Sequence, residues 1–142
     1  MSLHPIATVG LRTIQEISTL HDFRFHHDQN GLAITKELLT SSFPGSPVVN
    51  THGHCVGFIS QVDLLAVLEA GRDVSQLTAE EIMVPHPIAI NISTTLAEAV
   101  RLMKERHFLV LPVEQDGVVI GCLTRQDLLR AWVGAGLDKK TQ

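Results

Sequence analysis

Aromatic residues are scarce in this chain: tyrosine is absent, and Phe and Trp together make up only 4% of the 142 residues. Proteins that bind single-stranded nucleic acid stack the bases on aromatic side chains, so this scarcity disfavours such a role. The formal net charge of −4 also argues against a phosphate-backbone partner, because that binding relies on clustered Lys and Arg. We therefore expect no nucleic-acid partner.

Long apolar runs and a secretory signal are also missing. No run approaches the roughly 18 residues that indicate a membrane span, and the N-terminal residues lack the regions of a signal peptide. The two cysteines, Cys55 and Cys122, hold non-equivalent places in strand-like runs, which favours reduced core thiols. Together these absences predict a cytoplasmic protein without a membrane partner.

Motifs of catalysis and metal binding are missing as well. The chain has no nucleophile elbow and no phosphate-binding Gly-x-x-x-x-Gly-Lys loop. Among its 8 histidines, His26–His27 and the pair His52 and His54 could be metal ligands, but no Cys-x-x-Cys or His-Glu-x-x-His accompanies them. We expect no catalytic residues, no metal and no cofactor.

The chain does contain an internal repeat. Gly57–Leu65 and Gly121–Leu129 share one template: Gly, two apolar residues, Ser or Thr, two variable residues, Asp, Leu-Leu. Corresponding residues, such as Asp63 and Asp127, lie 64 positions apart. A repeat of this kind indicates the overall fold more strongly than other sequence patterns do, so we consider it first.

The template has two interpretations that the residues alone leave open. Ser60 and Thr124 stand where a strand becomes a helix, so their hydroxyls can cap the first turn. Asp63 and Asp127 fall in that turn, where a carboxylate is stabilised by the helix dipole. Alternatively the same groups face a cleft, where the carboxylate can accept from two ribose hydroxyls and the helix N-terminus suits a phosphate.

Periodicity predicts strand-helix-strand-strand-helix in each half. Halves of about 60 residues are marginal alone, so we expect an α/β (α+β) fold of two β-α-β-β-α repeats that share a core with pseudo-twofold symmetry. The predicted elements are a helix at 10–20, a strand at 23–27, a helix at 32–40, strands at 47–49 and 54–59, a helix at 62–70, a strand at 87–90, a helix starting at 96, strands at 109–113 and 118–123, and a last helix after Thr124.

The repeated Gly-x-x-Ser/Thr-x-x-Asp, preceded in each half by an apolar strand that begins near Pro47 or Pro112, resembles the CBS domain. Two such domains in tandem resemble a Bateman module, and the resemblance covers roughly residues 20–136. The predicted boundaries are 1–20 for an N-terminal arm and short helix, 21–71 for the first repeat, 72–84 for a linker, 85–136 for the second repeat and 137–142 for a tail.

This resemblance implies a regulatory module, not an enzyme, that senses AMP, ADP, ATP or S-adenosylmethionine. In that family the repeated Asp holds the ribose, the Ser or Thr assists the neighbouring group, and the opening strand lines the base pocket. Carried over to this chain, the implied ligand-binding residues are Thr124 and Asp127 with His86, Pro87 and Ile88, and Ser60 and Asp63 in the first half.

We rank the Thr124/Asp127 cleft as the stronger site, because Pro87–Ile90 opens its repeat regularly and Arg125 offers an anion partner. Polyphosphates are less expected, because Leu109, Val110, Pro44 and Gly45 occupy places where nucleotide-binding members often carry basic residues. Both Asp side chains are expected at a cleft rim, so that the fold tolerates their replacement.

The alternative hypothesis is a module with lapsed ligand sites that serves only as a dimerising scaffold and regulates a partner in trans. In either case the apolar residues of the last helix, Leu129, Trp132 and Val133, favour a homodimer joined through helices.

Overall fold

The computed structural model describes residues 9–17, 20–85 and 87–134, and each half of this part of the chain has the predicted element order. The first half contains β1 (Phe25–His26), α1 (Gly31–Ser41), β2 (Gly45–Val49), β3 (Cys55–Ser60) and α2 (Gln61–Glu69). A linker with a 3-10 turn (Val74–Gln76) and the short α3 (Ala79–Ile82) follows. The second half contains β4 (Ile90–Asn91), α4 (Leu96–Arg106), β5 (Val110–Gln115), β6 (Val118–Thr124) and α5 (Arg125–Trp132).

Two three-stranded sheets with the same topology confirm the repeat. Their orders are β1-β2-β3 and β4-β5-β6, with a parallel first pair and an antiparallel second pair in each. Val48 faces Gly57 in one sheet and Val113 faces Gly121 in the other, so the two motif glycines are equivalent. Asp63 and Asp127 consequently lie at matching positions, in the first turns of α2 and α5.

Most buried apolar residues form two core clusters, one in each half, and the buried Val49, Val110 and Val119 lie outside both, on the strands β2, β5 and β6 through which the two sheets contact each other. The first is built around Phe25, Ile34 and Ile59, and the second around Leu96, Leu111 and Leu123, all of them fully buried. Each half also receives apolar residues from outside its own repeat. The linker supplies Val74, Leu77, Ala79 and Ile82 to the first cluster, and the N-terminal segment supplies Ile14 and Ile17 to the second.

The predicted helix over 10–20 is absent from the described part of that stretch, which holds only a 3-10 turn at Ile14–Glu16. The backbone there pairs with the second half instead, because Ile14 N–H donates to the Thr94 carbonyl and Gln15 N–H to the Ile92 carbonyl, both at 2.9 Å. Those bonds replace the intrahelical ones that a helix would make. The predicted tail at 137–142 lies outside the described residues.

The predicted strand at 87–90 is also shorter than expected, because only Ile90 and Asn91 pair with β5. Pro87 has no N–H to give to a ladder, and the residues from Pro87 to Ala89 have no regular secondary structure. Their side chains are therefore available to line a cleft between the halves.

Candidate functional site

Each repeated motif folds into a reciprocal cap, as its spacing predicts. The Ser60 N–H donates to the Asp63 carboxylate at 2.8 Å, and the Asp63 N–H donates to the Ser60 hydroxyl at 3.1 Å. In the second motif the corresponding distances between Thr124 and Asp127 are 2.7 and 3.3 Å. The capping interpretation is thus confirmed, and it leaves part of each carboxylate for other partners.

The motif glycines allow a second segment to approach each sheet. A Cβ at Gly57 would lie 2.9 Å from the Val84 carbonyl oxygen, and a Cβ at Gly121 would lie 2.7 Å from that of His21. Both approaches are closer than a real Cβ tolerates, so each motif needs glycine here. The approaching segments form equivalent antiparallel bridges, Val84 with Phe58 and His21 with Cys122.

Two clefts between the halves follow from this arrangement, and the first is named here the Asp63 cleft. It has a volume of about 350 Å³. Its mostly apolar lining consists of Pro44, Gly45, Phe58, Ser60, Val62, Asp63, Val84, Pro87, Ile88, His107, Phe108, Leu109, Val110 and Pro112.

The second, named the Asp127 cleft, has a volume of about 690 Å³. Its lining is more polar and more basic, and consists of His21, Ser41, Ser42, Phe43, Pro44, Leu109, Thr124, Arg125, Gln126, Asp127, Leu129 and Arg130.

The structure separates residues that the sequence analysis grouped together. Pro87 and Ile88 line the Asp63 cleft and not the cleft of Thr124 and Asp127. The grouping was wrong because the halves pack against each other, so each motif faces the segment that opens the other repeat. His86, the third member of that group, lies outside the described residues.

Asp127 is not at a cleft rim, as the sequence predicted, but fully buried. Its carboxylate accepts from Thr124, from the ring nitrogen Nε2 of His21 at 2.9 to 3.0 Å, and from Arg130 at 3.4 Å. The His21 ring also packs edge-on against Phe43, with ring centroids 5.1 Å apart. The acceptors of Asp127 are therefore occupied by the protein's own side chains.

Asp63 is half-buried, and within the described residues its carboxylate is bonded only to Ser60. Val84 takes the place that His21 has in the other cleft, and an aliphatic side chain cannot donate a hydrogen bond to the carboxylate. The Asp63 cleft thus combines an accessible carboxylate with apolar walls, which is the composition of a small-molecule site.

His21 and Phe43, which occlude Asp127, were not predicted from the sequence. The alternation of His21, Phe23 and Phe25 could have predicted this contact, because it puts the three rings on one face of an extended segment. In the structure Phe23 also contacts the Phe43 ring, with centroids 4.6 Å apart. Val84 and Phe108 of the Asp63 cleft were missed too, because their position depends on contacts between the halves.

The two thiols are free and unsuited to nucleophilic chemistry. Burial raises the pKa of Cys122 to about 12, with a further contribution from the charge of Asp127. Burial likewise raises the pKa of Cys55 to about 11. Among the described residues no cluster of three or more His, Cys, Asp or Glu side chains is arranged to hold a metal ion, and no helix there has the length and apolarity to cross a membrane.

Comparison with known proteins agrees with this architecture. Residues 79–134 match the CBS domain family. The structure of CBSX2 in complex with AMP is 29% identical and superposes with a TM-score of 0.72, covering 86% of this chain and 96% of that chain. The putative acetoin utilization protein AcuB from Vibrio cholerae, at 20% identity, superposes with a TM-score of 0.77 over 87% of this chain and 91% of that one. The chain belongs to the CBS-domain proteins, and its two repeats form a tandem CBS pair.

A further relative is the arabinose 5-phosphate isomerase KdsD of Pseudomonas aeruginosa, which is 30% identical over 107 residues. The match covers 72% of this chain but only 33% of the isomerase. More generally, the chain spans between about a quarter and a half of the length of the curated relatives that it matches.

Proposed function

We propose that this chain is a regulatory module that binds an adenosyl compound in the Asp63 cleft. The observation that carries the proposal is the half-buried Asp63 carboxylate at a cleft of about 350 Å³, which among the described residues is bonded only to its own cap. That volume lies within the roughly 300–1,000 Å³ of small-molecule pockets. The similarity to CBSX2, whose structure contains AMP, supports an adenosyl ligand.

Four of the lining residues have a stated role in this proposal. Asp63 accepts hydrogen bonds from the ribose hydroxyls, and Ser60 holds the carboxylate in position through its N–H. The apolar side chains of Ile88 and Phe108 pack against the base. Because these residues come from both halves, a bound ligand stabilises one arrangement of the two halves. Ligand binding can therefore change the conformation that a regulated partner encounters.

In this proposal the Asp127 cleft is the weaker ligand site, which reverses the ranking of the two clefts predicted from the sequence. A ribose there would compete with His21 and Arg130 for a carboxylate that is fully buried. Thr124 and Arg125 then belong to a secondary surface, and we propose one principal adenosyl site in each chain.

A dimerising scaffold is the second candidate, and an exposed apolar surface on α5 favours it. Leu129 is 66% exposed and Val133 is 73% exposed, beside a groove between α4 and α5 that Trp132 also lines. We propose that two copies pair through this surface, which is compatible with ligand binding. The partner regulated in trans would be a separate cytoplasmic protein.

Thermal unfolding with adenosine, AMP, 5′-methylthioadenosine and S-adenosylmethionine tests the proposed function. A ligand at about 100 times its dissociation constant should add about 2.7 kcal/mol to the free energy of unfolding. Asp63→Asn should abolish most of the shift, while Glu69→Gln, an exposed change at the end of α2, should retain it. No shift with any of the four compounds at millimolar concentration would favour the scaffold alone.

A further inference from the structure

The Asp63 cleft is poor in positive charge. Within the part of the chain that the structure describes, no Lys or Arg side chain lines it, and its ionisable groups are Asp63 and His107. A phosphate monoester carries a charge of about −1.5 to −2 at neutral pH. Such a group in this cleft would lie among apolar side chains near a carboxylate, without a fixed cation to offset its desolvation.

The start of α2 offers a phosphate little compensation. A helix N-terminus binds anions through its free N–H groups, but three of the N–H groups here already have partners. Ser60 N–H donates to the Asp63 carboxylate, Asp63 N–H to the Ser60 hydroxyl, and Gln61 N–H to the Pro44 carbonyl at 3.0 Å.

The basic side chains lie in the other cleft. Arg125 and Arg130 line the Asp127 cleft, where the carboxylate is engaged by His21 and buried. An accessible ribose acceptor and a cationic phosphate partner are therefore separated between the two clefts. A nucleotide needs both in one place, whereas an adenosyl compound without phosphate needs only the acceptor and the apolar walls.

We propose that the Asp63 cleft selects an adenosyl compound whose 5′ group carries no phosphate, and discriminates against AMP and longer nucleotides. This inference rests on the proposed binding function and names its ligand class. It also separates this chain from CBSX2, whose structure contains AMP.

Calorimetric titration of the full chain with 5′-methylthioadenosine, adenosine and AMP tests the selection. The titration is run at about pH 8, where the phosphate monoester of AMP is fully ionised. We expect 5′-methylthioadenosine and adenosine each to bind at least about tenfold more tightly than AMP, a difference of about 1.4 kcal/mol.

The possible results distinguish the selection against phosphate from the proposed adenosyl-binding function. AMP binding as tightly as 5′-methylthioadenosine overturns the charge selection and leaves the adenosyl site standing. Failure of all three compounds to bind at millimolar concentration overturns the adenosyl site itself, and the selection with it.

A charge introduced into the lining gives a second, independent test. Leu109 lines both clefts and is 44% exposed, so Leu109→Lys is accommodated without burying an ammonium group, and a gain in AMP affinity that disappears on adding Asp63→Asn belongs to the Asp63 cleft. We expect it to raise AMP affinity about tenfold, as one charge-assisted contact would, and to leave the affinity for 5′-methylthioadenosine unchanged. Leu109→Met is the matched control and should keep the wild-type ratio; unchanged AMP affinity in the Lys variant would contradict the charge explanation.

Discussion

His21 and Val84 occupy equivalent places in the two clefts and give the two repeated aspartates different environments. Each bridges the strand that precedes its motif helix, His21 with Cys122 and Val84 with Phe58. The imidazole reaches the Asp127 carboxylate at 2.9 Å, whereas the valine leaves Asp63 bonded only to its cap among the described residues. The difference between His21 and Val84, together with the contact of Arg130 with Asp127, therefore separates a structural aspartate from a candidate ligand-binding one.

Replacing the two aspartates should reveal this difference in stability. Asp127→Ala leaves the Thr124 N–H and the His21 ring without their acceptor in a buried site, so it should lower the free energy of unfolding by about 1–3 kcal/mol. Asp63 is only half-buried, so water can reach the Ser60 groups that Asp63→Ala leaves without a partner. This change should therefore lower the free energy of unfolding by a smaller amount. Urea unfolding of both variants measures the difference, and an equal or larger loss from Asp63→Ala would contradict this assignment.

The buried thiol of Cys122 and the partly buried thiol of Cys55 should be slow to react in the folded protein. Because burial raises the pKa of Cys122 to about 12 and that of Cys55 to about 11, the reactive thiolate is rare near neutral pH. We expect an aromatic disulfide reagent to modify the native chain far more slowly than the urea-unfolded chain. Cys55→Ser isolates the signal of Cys122; equally fast modification of native and unfolded Cys122 would refute the assigned burial.

At the scale of elements, capping residues fix where several helices begin. Thr95 N–H and hydroxyl both donate to Glu98, at 2.9 and 3.1 Å, and Glu98 N–H donates back to the Thr95 hydroxyl. The sequence predicted the capping at the two repeated motifs, because capping depends on residues three positions apart. It misjudged 10–20 because the bonds of that segment are made with residues about 80 positions away in sequence.

The box at α4 predicts a pH dependence of stability. The hydrogen bonds from the Thr95 N–H and hydroxyl lower the pKa of Glu98. A carboxyl with a lowered folded-state pKa contributes stability above its ordinary pKa and loses that contribution as the pH falls through the folded-state value. Glu98→Gln cannot titrate and lacks this contribution at every pH.

Urea unfolding between about pH 7 and pH 3 tests the dependence. The stability difference between wild type and Glu98→Gln should shrink as the pH falls. Glu105→Gln, an exposed change near the other end of α4, controls for the change in net charge. A difference that stays constant over the whole range would contradict the role of this carboxylate.

For the whole molecule, the constant offset of 64 residues between the motifs was sufficient to predict two equivalent halves, and the matched sheets confirm it. The division of residues between the clefts could not be predicted in the same way. Pro87 belongs with Asp63 because of how the halves pack, and the contact between His21 and Asp127 joins residues 106 positions apart. Repeats indicate local structure, whereas relations between repeats depend on tertiary contacts.

The exposed surface of α5 predicts assembly of the whole chain. Leu129→Glu places a charge on the proposed interface and should convert a homodimer into a monomer in analytical ultracentrifugation, because burying an unpaired carboxylate is costly. Leu39→Glu is the control, since Leu39 is 74% exposed on α1, outside the groove that α4 and α5 form. A wild-type chain that stays monomeric at micromolar concentration would rule out this interface.

The central claim is one principal adenosyl site per chain, built on Asp63, and calorimetric titration with 5′-methylthioadenosine tests it most directly. We expect a stoichiometry of one ligand per chain, and a loss of about 10- to 150-fold in affinity for Asp63→Asn, equivalent to the 1.5–3 kcal/mol of a hydrogen bond to a charged group. Two ligands per chain, or unchanged affinity in Asp63→Asn, would contradict the account.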